Sequence, residues 1–158
     1  SKKFKLKLLG PPIGDYGNEI VAKCLELKKK DYLIDLLENP KHFEHEISDA
    51  TVILAPINIH TSFAGIEETY GVSKESGVIF DVVRYAIPAI LPKSLDVPVD
   101  ISKAIFRYNT ADELKEQIVS LTEHPTLEKL KENAVTVSQN YSIDAVSKKL
   151  FEDLGYLS

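Results

Sequence analysis

Hydrophobic positions along the chain change period repeatedly, and each change marks an element. Lys3 to Leu9 alternates, with Phe4, Leu6 and Leu8 on one face and Lys3, Lys5 and Lys7 on the other. That pattern predicts a strand at a sheet edge, or one short of a neighbour, because a central parallel strand is apolar on both faces. A glycine- and proline-rich break from Gly10 to Gly17 precedes a helix predicted over Asn18 to Lys30, whose stripe is Ile20, Val21, Cys24 and Leu25. Tyr32 to Leu37 has the length of a strand but could also extend a helix. After Pro40, the segment His42 to Ile47 predicts a short amphipathic helix. Thr51 to Ile57, β-branched and uncharged, reads as the clearest buried strand.

The next segment, Asn58 to Glu75, is about 18 residues long, beyond the usual limit for a structureless connection in a compact domain. A loop held between a buried strand and a packed helix is expected to be functional. A helix is predicted from Ser76 to Ala86, with Val78, Ile79, Val82 and Val83 facing the core. Pro88 to Pro92 is a short apolar strand, Leu95 to Lys103 is irregular, and Ala104 to Tyr108 is another strand. Thr110 to Glu113 is a capping box opening a helix to about Leu121. Two amphipathic helices follow from Thr126, separated at Asn140 to Ser142. Short strands alternating with helices predict one α/β domain over residues 1–158. Its expected form is a doubly wound, Rossmann-like parallel sheet with helices on both faces and extra C-terminal helices.

In that architecture ligands bind beyond the C-terminal ends of strands, where the Asn58 to Glu75 segment falls. The entry into the following helix has the makings of an anion site. Backbone N–H groups around Ser76, Gly77 and Val78 are free at a helix start, and the dipole there favours negative charge. Lys74 offers a mobile positive charge, and Asp81 follows one turn on. Glycine in a first helical turn costs roughly 0.5 to 1 kcal/mol against alanine, so Gly77 points to a need for space. A phosphate followed by a hydroxyl-rich group suits this order.

Composition narrows the classes. The chain is 44% hydrophobic and 27% charged, with a net charge of −5, which gives no basic surplus for binding nucleic acid through phosphate neutralisation. No apolar run approaches the roughly 18 residues of a membrane span, and no signal peptide is visible. The single cysteine, Cys24, excludes an internal disulfide and fits a small core residue in a cytoplasmic protein. Methionine is absent even from position 1, so a processed chain or a piece of a longer one is expected. His60 reads as a satisfied loop histidine. His42 and His45 lack the further ligands of a metal site, and no metal is expected. Gly10, Gly14 and Gly17, with Asp35 at the end of a possible second strand, invite comparison with a dinucleotide fingerprint. Their spacing departs from it, which sets an NAD-type oxidoreductase well behind. Contact with a donor base or sugar is the simpler use of Gly10.

The stretch "SGVIFDVVRYAIPAILP", preceded by a strand ending in Pro and a loop with Tyr70-Gly71, resembles the donor-site segment of retaining GT-B glycosyltransferases of the group 1 type. In element order the resemblance continues through "AIFRYN", "TADELKEQIVSLTEHPTLEKLKENA" and "NYSIDAVSKKLFEDL", roughly residues 31 to 155. It implies a transferase moving a sugar from a nucleoside-diphosphate sugar, with no other cofactor. Asp81 would hold the ribose hydroxyls and Ser76, Gly77 and Val78 the diphosphate, with Lys74, Tyr70 and Gly10 as further donor contacts. Glu75 would lie nearest the transferred sugar. The family's first glutamate is replaced by Ser73, with Glu75 or Glu68 as substitutes, and its glycine before Ile87-Pro88 is Ala86. The family also begins one βα unit earlier, so the chain would be the C-terminal half of an enzyme whose N-terminal acceptor domain is absent, any peripheral membrane contact being made through that half. The competing class is a non-catalytic nucleotide-binding domain of the same fold.

Overall fold

The computed structural model of the chain describes residues 4–30, 32–37, 43–121 and 124–156. Lys3, Pro40 and His42 lie outside these. Backbone packing divides the chain into two compact units, Ser1–Asp49 and Ala50–Ser158.

The first unit is a βα unit closed by a second strand. Strand β1 (Lys5–Leu9) runs parallel to β2 (Leu33–Leu37), with helix α1 (Gly14–Lys29) between them in sequence and α2 (Phe43–Ser48) after them. Tyr32 to Leu37 is thus a strand, and α1 begins four residues earlier than the apolar stripe predicts, just after the Pro11-Pro12 step. Cys24 is buried, the expected core role. Among the described residues β1 pairs with β2 alone, the edge position its lysines predict. Carboxylates account for those lysines. Lys5 Nζ lies 2.6 Å from Asp35 Oδ2, and Lys7 pairs with Glu46. Asp35 faces Lys7 in mid-strand rather than at the strand end, and the Lys5 hydrogen bond holds its carboxyl below the usual range. Its side chain is committed to neighbouring lysines instead of standing at the end of β2, as the dinucleotide pattern requires.

The second unit holds a parallel sheet in the order β3 (Ile53–Leu54), β6 (Ala89–Pro92), β7 (Ile105–Tyr108). Between β3 and β6 come an antiparallel hairpin, β4 (His60–Phe63) and β5 (Ile66–Thr69), and helix α3 (Gly77–Tyr85). The segment expected as a long loop is therefore mostly hairpin. Its tip residues Ala64 and Gly65 have φ of 52° and 80°, the two left-handed residues of a tight hairpin turn. The most buried strand is β6, not β3. Ala89, Ile90 and Leu91 are inaccessible or nearly so, whereas Val52 to Ala55 are half-buried and pair for only two residues. A central strand is covered on both faces, and β6 is the central one.

On one side of β6, Ala89 and Leu91 pack with Val78, Ile79 and Val82 of α3 and with Leu95, Val97 and Ile101. The segment expected to wander thus sends Leu95, Val97 and Ile101 into the core, and it ends in a 3-10 turn, Ile101–Ala104. On the other side Ile90 packs with Leu121 and Leu130, backed by α4 (Ala111–Ser120) and α5 (His124–Asn140). Helix α6 (Ile143–Asp153) completes the chain. Thr110 caps α4 by accepting from the Glu113 N–H, and the Glu113 carboxylate reaches back to the Asn109 N–H at 2.7 Å, one residue before the position a capping box uses. With parallel sheets flanked by six α-helices among the described residues, the chain has the Rossmann-like α/β fold that its patterning predicts.

Two local features give measurable expectations. Helix α3 ends at Ala86 with φ 54°, the left-handed cap that favours glycine. Ala86→Gly is expected to stabilise the protein by about 0.5 to 1 kcal/mol, relief of the strained φ exceeding the extra freedom of the unfolded chain. A lowered melting temperature would show the reverse. At the α5–α6 junction, Tyr141 donates its O–H to Asp100 at 2.6 Å. That bond to a carboxylate, with some burial, pushes the phenol up to about 12. A folded pKa above the unfolded value of about 10 means that the contribution is whole below pH ~10 and lost as pH rises through the folded value. The stability difference between wild type and Tyr141→Phe should therefore be level to about pH 10 and shrink by about pH 12.

Candidate functional site

Strands β3, β6 and β7 are parallel, so their C-terminal ends share one edge, and α3, crossing from β3 to β6, begins at that edge. The hairpin is inserted there too. After β5 the chain forms a knot around one carbonyl: the amides of Val72, Ser73 and Lys74 all point to Thr69 O, at 3.1, 2.9 and 3.3 Å. Ser73 Oγ closes the knot by accepting from Thr69 N–H at 2.8 Å. Tyr70 anchors it, its N–H on Ile59 O at 2.9 Å and its side chain packed on the core.

Ser76 is extended and almost fully buried, and it precedes the first helical residue without capping it through its side chain. No acid stands in the first turn of α3. The N–H groups of Gly77 and Val78 consequently have no acceptor among the described residues. Val78 belongs to the core cluster, while Gly77 before it is exposed. A Cβ added to Gly77 would meet nothing within 4 Å, so the protein's own packing does not require this glycine. The room lies outside the helix start.

Asp81 is half-buried one turn further on. Burial raises its pKa, and the positive charge of Arg84 opposes the rise in part. No hydrogen-bond partner for its carboxylate occurs among the described residues. Side chains on a helix lean toward its N-terminus, so that of Asp81 lies over the Gly77 turn.

The other expected site residues divide. Lys74 stands in an ion pair: its Nζ donates to Glu68 Oε2 at 3.0 Å and sits 5.5 Å from the Tyr70 ring centroid. The Glu68 bond raises the Lys74 pKa. Glu68 is committed to this pair, whereas Glu75, directly before Ser76, is exposed and unpaired among the described residues. Gly10, with φ 113°, follows β1 and belongs to the first compact unit. His60 Nδ1 is 3.5 Å from Thr69 Oγ1 across the hairpin, a satisfied histidine as expected. His45 is exposed beside Asp49. Among the described residues no group of three or more metal-ligating side chains exists, and no helix is long and apolar enough to cross a membrane.

Sequence reasoning missed Gly71. Its φ is 86°, and a Cβ there would lie 2.8 Å from both N and O of Asp96, so two backbone segments touch at this point. A glycine just past a strand was a signal for a left-handed turn, but nothing in the sequence pairs it with Asp96.

No protein-family model matches this sequence, and no curated protein matches it. Among solved structures, the chain is similar to HepE of Anabaena, crystallised in complex with UDP, with a TM-score of 0.60 and 17% identity over 97% of this chain and 41% of that one. The chain thus spans less than half the length of HepE. At this identity the likeness is one of fold: the chain shares its α/β architecture with part of a protein that has been crystallised with UDP.

Proposed function

We propose that this chain is the donor-binding part of a retaining glycosyltransferase of the GT-B type, holding a nucleoside-diphosphate sugar at the start of α3. The observation that carries the reading is the pair of unaccepted Gly77 and Val78 amides at the C-terminal strand edge, with open space before Gly77 and the half-buried Asp81 one turn on. The UDP complex of a fold neighbour supports the same ligand class. In this reading the amides and the helix dipole stabilise the diphosphate as it departs, the main electrostatic task of sugar transfer. Asp81 accepts from the ribose hydroxyls. Lys74 assists by turning from Glu68 to a phosphate oxygen, and Tyr70 holds the knot that delivers it. Glu75 stands nearest the transferred sugar. The acceptor would bind to a separate domain of a longer chain, through which peripheral membrane contact would be made. The setting is cytoplasmic, in polysaccharide or glycan assembly, and the donor is the only small molecule required.

Calorimetric titration with UDP, GDP and ADP tests the reading. Heat of binding is expected with one of them, and none with any of the three defeats it. A second reading, a nucleotide-binding domain without catalysis, is favoured by Ser73, which stands at the family glutamate's position and is occupied in the Thr69 knot. Binding by a full-length protein that neither hydrolyses nor transfers the sugar would select it.

A further inference from the structure

Arg107 reaches from β7 into the loop that follows β6. Its guanidinium donates to Lys93 O at 2.8 Å and to Leu95 O, while its buried Nε has no hydrogen-bond partner. Leaving a buried donor unmatched is unfavourable, so the side chain's geometry is dictated by those two carbonyls. The same loop is held by the Leu95 N–H on Pro92 O at 3.1 Å and by the buried side chains of Leu95 and Val97. Between these two residues, Asp96 presents its backbone to Gly71 at a distance only glycine permits. Gly71 in turn belongs to the Thr69 knot, its N–H on Lys74 O at 2.8 Å, and the knot leads straight into Ser76.

We infer that Arg107 is a positioning residue for the entrance to α3: by fixing the Lys93–Asp96 turn it fixes the seat of Gly71, and so where Lys74, Glu75 and Ser76 stand. Its functional consequence rests on the donor-binding reading above; the mechanical link is a property of the fold. Both bonds leave one nitrogen, Nη2; lysine at this position keeps the charge but loses the planar guanidinium that aims the two N–H groups of Nη2 at the two carbonyls.

Hydrogen exchange without ligand, together with UDP titration, tests the link in Arg107→Lys. The bonded amides from Tyr70 to Lys74 are expected to exchange at least about tenfold faster while those of α5 keep their rates, and UDP affinity is expected to fall about tenfold. Leu127→Ala, in the second core cluster, serves as a control of comparable melting-temperature loss; it should leave both readouts unchanged. Uniform acceleration across the unit, or no acceleration from Tyr70 to Lys74, overturns the inference. If the wild type binds no UDP, the donor-binding reading fails and the exchange pattern alone decides this one. Should Arg107→Lys not fold, Gly71→Ala probes the link from its other end. Selective acceleration from Val72 to Lys74 then supports it, and wild-type protection there overturns it.

Discussion

Asp81→Ala is expected to weaken UDP binding by about 10- to 100-fold, the cost of losing charge-assisted hydrogen bonds worth roughly 1.5 to 3 kcal/mol. The carboxylate is half-buried and lacks a protein donor among the described residues, so hydroxyls brought by a ligand would be its first partners. The same burial sets a pH dependence. Because the Asp81 pKa is raised, the ionised acceptor is lost at a higher pH than for an ordinary carboxylate, and affinity should fall as pH drops through that raised value. The sign for stability is opposite. A folded pKa above the unfolded one means that ionisation destabilises the fold as pH rises past the unfolded value of about 3.9, a cost fully present at neutral pH. Asp81→Asn should therefore melt slightly higher than wild type at pH 7 while binding UDP less well, a trade of stability for function. Unchanged affinity in Asp81→Ala would remove Asp81 from the site.

Gly71→Ala carries the largest expected loss of stability, about 2 to 3 kcal/mol. Two causes combine: a left-handed φ of 86°, and a Cβ driven to 2.8 Å from the Asp96 backbone, which cannot turn aside as a flexible side chain can. Gly65→Ala separates them. Gly65 has a φ of 80° but nothing within 4 Å of its added Cβ, so that substitution should cost only about 1 kcal/mol. Both are read from the denaturation midpoint at unchanged slope. Equal losses at the two positions would show that the contact with Asp96 is immaterial.

Much of this architecture was legible in the residues. Helix α3, its start after Ser76, the strand at Ala89–Pro92 and the Thr110 cap follow from periodicity and local capping chemistry, which need no distant partner. The hairpin was not legible. His60-Thr-Ser-Phe63 is too polar to read as a strand, and its pairing with Ile66–Thr69 depends on left-handed φ at Ala64, a residue type that does not announce it. The ranking of β3 above β6 failed because burial is set by a strand's place in the sheet, not by its apolar count. At the site, the type and order of Ser76, Gly77 and Asp81 were readable because a helix start is a local feature. The commitment of Lys74 to Glu68 and the approach of Gly71 to Asp96 arise only when the chain doubles back.

The hairpin between β3 and α3 also bears on how the second unit assembles. Joining β3 to α3 through 22 disordered residues, 55–76, would carry a closure entropy that grows with the logarithm of length. A hairpin with a tight turn forms locally, within about 1 to 10 microseconds, before slower long-range strand pairing. Once formed, it brings Ile59 and Tyr70 together and leaves about ten residues to be closed instead of 22, a saving of ~0.7 kcal/mol by the same logarithm. Stabilising the Ala64–Gly65 turn is thus a way to speed the pairing of β3 with β6 without touching either strand.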